Sequence, residues 1–257
     1  MDLQIKDHLF VVCGASSGFG KEIAVKLAGE NARVIAVARR PGLLEQMAND
    51  QAGIEPFPGD IMDPATIHSL KDYIDNRDLK GILVNAAGPA TSSFLETELE
   101  DWDKAYRSIL RWKIELTKIF LPTLMEKGYG RLLYIESMAT KQPVPNLVLS
   151  TSMRLAVTGF VKTLADEVGK MGITANILAP GYHLTPAVDR VIEKQSKVKG
   201  ITFDEAKKII EEDIPVGKAG NPENLASLAA WLLSPWSEYI TGQTISVDGG
   251  VIRGIMG

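Results

Sequence analysis

Short apolar runs alternate with longer amphipathic ones along almost the whole of this 257-residue chain. The apolar runs at residues 8–13, 33–38, 54–57, 81–84, 131–135, 173–178 and 243–247 have the length and β-branched content of buried strands. Between them, residues 18–29, 41–49, 64–76, 101–127, 151–170 and 221–233 space their apolar positions at helical intervals. Pro41 and Pro64 stand where a first helical turn tolerates proline. Seven strands alternating with helices predict an α/β fold, a doubly wound, parallel seven-stranded sheet with helices on both faces. No repeat, linker or low-complexity break interrupts the pattern, so residues 1–257 read as one domain. Residues 186–213 stand apart. They are charged and amphipathic, and they predict a helical insertion, either a solvated pair or a lid over a substrate pocket.

Composition narrows the partners. Hydrophobic residues make up 45% and charged residues 23%, ordinary for a soluble globular protein. The net charge of -4 offers no broad basic surface, so nucleic acid is not an expected partner. No apolar run reaches the roughly 18 residues of a membrane span, and no signal peptide is visible. A single cysteine, Cys13, excludes an internal disulfide. These features suggest a cytoplasmic protein. His8, His68 and His183 are far apart, and no metal site is expected.

The most informative segment follows the first strand: Gly14-Ala15-Ser16-Ser17-Gly18-Phe19-Gly20. A glycine-rich turn between a buried strand and a helix lets backbone approach a pyrophosphate and presents free N–H groups to it. The alternative is a structural turn with no ligand. The spacing GxxxGxG resembles the short-chain dehydrogenase/reductase family, a Rossmann-type fold, and the chain is similar to its 3-oxoacyl-ACP reductases. Further segments match it in order: Asp60 with Ile61 after the third strand, Asn85-Ala86-Ala87-Gly88 after the fourth, Pro180-Gly181 with Thr185, and the tail YITGQTISVDGG. The resemblance implies that Ser16, Ser17 and Phe19, with the glycines, hold the cofactor, that Asp60 contacts its adenine, and that Pro180, Gly181 and Thr185 hold its nicotinamide. After the second strand stand Arg39 and Arg40, with no acid to bond a ribose 2′-hydroxyl. Arg39 suits a 2′-phosphate, with Arg40 the bystander, which favours NADP(H) over NAD(H).

The resemblance fails at the catalytic residues. Family members use Asn, Ser, Tyr and Lys. Ser137 matches the serine, but the register places Ile109 at the asparagine, Ser150 at the tyrosine and Arg154 at the lysine. An aliphatic hydroxyl is a poor general acid, and a guanidinium keeps its proton at working pH. Arg154 can still anchor ribose. Replacements to consider are His183, which could titrate near neutral pH, Tyr182, Lys141 and Glu136. Strand alternation points Glu136 away from Ser137, as a salt-bridged carboxylate at the sheet's edge. Tyr134 reads as core. Two functions remain open: an atypical oxidoreductase moving hydride to or from a carbonyl, alcohol or activated alkene, or a nucleotide binder with little turnover, a sensor or scaffold. The resemblance also implies a small-molecule substrate and a homotetramer. Ile109, Ile114, Leu116, Leu155, Phe160 and Leu164 are available to pack its helices.

Overall fold

A computed structural model describes residues 1–86, 88 and 91–255. The strands are β1 (Leu9–Cys13), β2 (Arg33–Ala38), β3 (Ile54–Pro58), β4 (Leu79–Val84), β5 (Gly130–Ile135), β6 (Ile173–Pro180) and β7 (Thr244–Val247). They form one seven-stranded sheet in the order β3-β2-β1-β4-β5-β6-β7, and every pairing is parallel. The order reverses between β1 and β4. In such sheets the crevice at the strands' carboxyl ends, beside that reversal, is where ligands bind.

The helices are α1 (Gly18–Gly29), α2 (Pro41–Asp50), α3 (Pro64–Ile74), α4 (Leu99–Ala105), α5 (Trp112–Glu126), α6 (Val148–Val168), α7 (Pro186–Lys199), α8 (Phe203–Glu212) and α9 (Pro222–Leu232). Strand residues alternate between two cores. Leu9, Val11, Cys13, Ile35 and Val37 join the cluster holding α3, α5 and α6 side chains, such as Leu70, Phe120 and Val161. Phe10, Val12, Val34 and Ala36 join the opposite cluster, with Ile23 and Leu27 of α1 and Leu225 and Ala229 of α9. A sheet apolar on both sides can be satisfied only by helices on both sides.

The helix expected at residues 101–127 is interrupted. Six residues, Tyr106–Arg111, form a π-helical turn between α4 and α5. Such an insertion rotates the residues that follow it relative to a regular helix. Helices α7 and α8 form the expected amphipathic pair and pack on one another through Ile192, Ala206 and Ile210. Among the described residues no helix is long and apolar enough to cross a membrane.

A candidate dinucleotide cleft with a rebuilt reacting end

A cleft of about 540 Å³ opens over the carboxyl ends of the strands. One end is made of backbone. Gly14, Ser16, Ser17, Gly18 and Phe19 line it. Gly14 has φ +67° and Gly18 φ +56°, conformations that side chains rarely adopt. Gly20 is constrained differently, because a Cβ there would lie 2.3 Å from the Gly14 carbonyl oxygen. The α1 entrance differs in its cap from α3 and α9, while α2, α6 and α7 likewise lack a side-chain cap. Asp63 caps α3 and Asn221 caps α9 through their side chains, whereas Ser17 makes no such cap on α1. The first N–H groups of α1 are thus left for another acceptor.

Arg39 and Arg40 both line the cleft, together with Asp60 and Ile61. Their placement differs from expectation. Arg40 lies across the glycine loop, its Nη2 donating to Ser16 Oγ and Ser17 Oγ at 2.8 Å each. Arg39 extends outward, 3.9 Å from Asp60. The supposed bystander is the arginine engaged with the loop, and the expected phosphate ligand is the looser of the two. Asn85, Ala86 and Gly88 also line the cleft, while Ala87 lies outside the described residues.

At the other end stand Glu136, Ser137, Arg154, Pro180, Gly181 and Thr185, closed from above by the first turn of α7. Ser137 lies two residues past β5 in extended conformation, its Oγ accepting from the Ala139 N–H at 3.2 Å. Ser150 and His183 do not line the cleft. Ser150 is buried on α6, and its Oγ accepts from Arg154 Nε at 3.0 Å. His183 is packed edge-on against Phe19, with Nδ1 3.2 Å from the Gly181 carbonyl. Burial lowers its pKa from the ordinary imidazole value, and the ring is engaged in packing away from the cleft lining. Tyr182 packs under the α7–α8 pair, and burial raises its phenol's pKa. Tyr134 is core, hydrogen-bonded to Thr117 at 2.7 Å. Ile109 is buried in the π-helical turn.

Glu136 is salt-bridged, as expected, but not at an edge. It follows β5, which lies inside the sheet between β4 and β6. Its carboxylate is fully buried and holds two cations. Oε2 accepts from Arg154 Nη1 at 2.8 Å, and Oε1 accepts from Lys113 Nζ. Lys113, the second residue of α5, is itself 3% exposed. Nothing in the sequence pattern singled it out. The π-helical turn ahead of α5 was not predicted, and a regular helix gives no reason to place a lysine inward. Arg154 turns a guanidinium edge toward the cleft, which Glu136 also lines: its Nη2 lies close enough to Gly88 that a Cβ there would meet it at 2.9 Å. Among the described residues no group of potential metal ligands gathers.

The doubly wound sheet, its switch-point cleft and the glycine loop define a dinucleotide-binding α/β protein. The family described as enoyl-(acyl carrier protein) reductase matches residues 14–252. NADPH-dependent reductase BacG of Bacillus subtilis is 29% identical over 95% of this chain and 97% of its own length. The 3-oxoacyl-[acyl-carrier-protein] reductase FabG of Haemophilus influenzae is 30% identical over 96% of this chain and 99% of its own. Among solved structures, YwfH, an NADPH-dependent reductase involved in bacilysin biosynthesis, superposes with a TM-score of 0.92 at 28% identity, covering 97% of this chain and all of that one. The actinorhodin polyketide ketoreductase with NADPH gives 0.91 at 28% identity, covering 96% and 98%. The chain belongs to the short-chain dehydrogenase/reductase family, and its class of activity is that of an oxidoreductase.

Proposed function

We propose that this protein is an NADP(H)-dependent oxidoreductase that moves hydride between the nicotinamide and a small carbonyl, alcohol or activated-alkene substrate. The observation that carries the proposal is the division of one cleft into a backbone cradle and a reacting end that presents Ser137 and Arg154. The cradle suits a dinucleotide, since Gly14 and Gly20 let the loop pack against Asn85 and against itself where a Cβ would clash, and α1 offers uncapped N–H groups. Arg40, on the loop serines, and Arg39 suit a 2′-phosphate. NADPH in the names of two similar proteins and structures supports the same choice. Pro180, Gly181 and Thr185 would hold the nicotinamide, which supplies or takes the hydride when bound.

The side chains at the reacting end stabilise negative charge. Ser137 can donate a hydrogen bond to a developing oxyanion, and Arg154 can neutralise it. Neither is an effective proton donor. Reduction of a conjugated alkene fits this equipment better than ketone reduction, because an enolate can be held as an anion after hydride reaches carbon. Residues 1–257 would act as one domain, with the α7–α8 pair as lid over the substrate: Pro186, Ala187, Val188 and Arg190 already face the cleft. A homotetramer is the expected assembly. Of the residues first considered for its helix faces, Ile109, Leu116 and Leu164 are consumed by the core, whereas Leu155 is 47% exposed. Light scattering tests the assembly.

Titration with NADPH and with NADH, followed by energy transfer from tryptophan to the nicotinamide, tests the cofactor. Preferred binding of NADPH supports the proposal, and no binding of either nucleotide overturns it. A second reading, a nucleotide binder with little turnover, draws on the withdrawal of Ser150 from the cleft and the burial of Ile109. If it holds, wild type oxidises NADPH with none of a panel of ketones, enones and acyl thioesters, and Ser150→Tyr with Arg154→Lys gains activity.

A further inference from the structure

Lys113, Glu136 and Arg154 come from three different segments: α5, the residue just after β5, and α6. Ion pairs so deeply buried rarely contribute net stability, because desolvating each charge costs about as much as the attraction returns. Stability is therefore a poor reason for the cluster. Its geometry suggests another. A carboxylate is needed to hold the Arg154 guanidinium in place from behind, since Nη1 is taken by Glu136 and Nε by Ser150. Acting alone, that carboxylate would also cancel the charge of Arg154. Lys113, on the other carboxylate oxygen, cancels the carboxylate instead.

We propose that Lys113 and Glu136 are positioning residues that fix Arg154 while leaving one net positive charge at the reacting end, and that this charge biases the site toward reduced cofactor and toward reduction. The proposal rests on the nucleotide reading above. An oxidised nicotinamide ring carries a positive charge and a reduced ring carries none, while the rest of the two nucleotides is identical. A net cation beside the ring therefore repels the oxidised form only, and the ratio of NADPH to NADP+ affinity reports the cluster's charge with no substrate present. The same charge stabilises the anion that hydride transfer to a substrate creates. The charged groups facing Lys113 are Glu136 and Arg154. Burial lowers the lysine's pKa, Glu136 opposes that change, and Arg154 adds to it.

The test compares NADPH and NADP+ binding by calorimetry at neutral pH. Lys113→Met keeps the Glu136–Arg154 pair but brings the cluster to neutrality. The NADPH preference should fall by on the order of tenfold, the size of one charge step in a partly screened site. Lys113→Met with Glu136→Gln removes both buried charges, returns the net charge to that of wild type, and should restore the preference. A purely structural cluster would make the double variant no better than the single one. An unchanged ratio in folded Lys113→Met, or no recovery in the double variant, overturns the proposal. If Lys113→Met does not fold, the double variant compared with K113M/E136Q/R154M carries the same one-charge step, and equal ratios there overturn it. Failure of wild type to bind either nucleotide overturns the nucleotide reading itself, a separate outcome from binding with an insensitive ratio.

Discussion

The two ends of the cleft hold their chemistry in opposite ways. The cradle end is backbone: three glycines, an uncapped helix entrance, and an arginine laid over two serines at the surface. The reacting end is side chain: a buried carboxylate shared by two cations, with one guanidinium edge exposed to the cleft. Backbone positions tolerate few substitutions, because the missing Cβ is the functional property. A charge cluster can be altered member by member provided its sum is kept. This difference accounts for the pattern seen here. The sequence resemblance puts the family's glycine spacing on this loop and places Ile109, Ser150 and Arg154 at three of its four catalytic positions.

Breaking the charge balance should have the largest effect. Glu136→Gln leaves two cations side by side in a dry site and should cost about 3–5 kcal/mol of unfolding free energy, read by urea denaturation. Loss of less than about 1 kcal/mol would mean the carboxylate is not holding both partners. At the opposite end, Gly20→Ala forces a Cβ against the Gly14 carbonyl. It should cost roughly 2–3 kcal/mol and abolish nucleotide binding, measured by tryptophan energy transfer. Arg40→Ala should weaken NADPH about tenfold, near 1.4 kcal/mol, while leaving NADH unchanged, and Arg39→Ala should do less. Equal loss for both nucleotides would assign Arg40 to the loop alone.

The smallest effect separates packing from chemistry at His183. Its folded pKa lies below the ordinary value near 6.5. As pH falls through about 6.5 the unfolded chain takes up a proton that the folded chain refuses, so stability declines from there down to the folded pKa. His183→Gln should flatten this part of the stability–pH curve without changing nucleotide affinity. A change in turnover with unchanged stability would instead return His183 to the chemistry.

Much of this was legible locally. A period-two or period-3.6 pattern is a property of neighbouring residues, so the strands, the helices and the sheet's two apolar faces could be read directly. The glycine turn was legible for the same reason, since its need for φ above zero and close backbone approach lies within a few residues. Helix ends shifted by one to three residues, as capping and end assignment allow. The reacting end could not be read this way. Lys113 looks like one of many lysines on an amphipathic helix until the π-helical turn and the packing of α5 bring it to Glu136. Glu136 looks like an edge carboxylate until the strand order places β5 inside the sheet. Whether Arg39 or Arg40 lies on the loop depends on how α2 leaves β2. The sequence determined the fold and the cradle, because hydrophobic periodicity and backbone sterics act over short range. Only tertiary structure decided which charges share a buried volume, because that depends on residues 18 to 41 positions apart meeting where water is excluded.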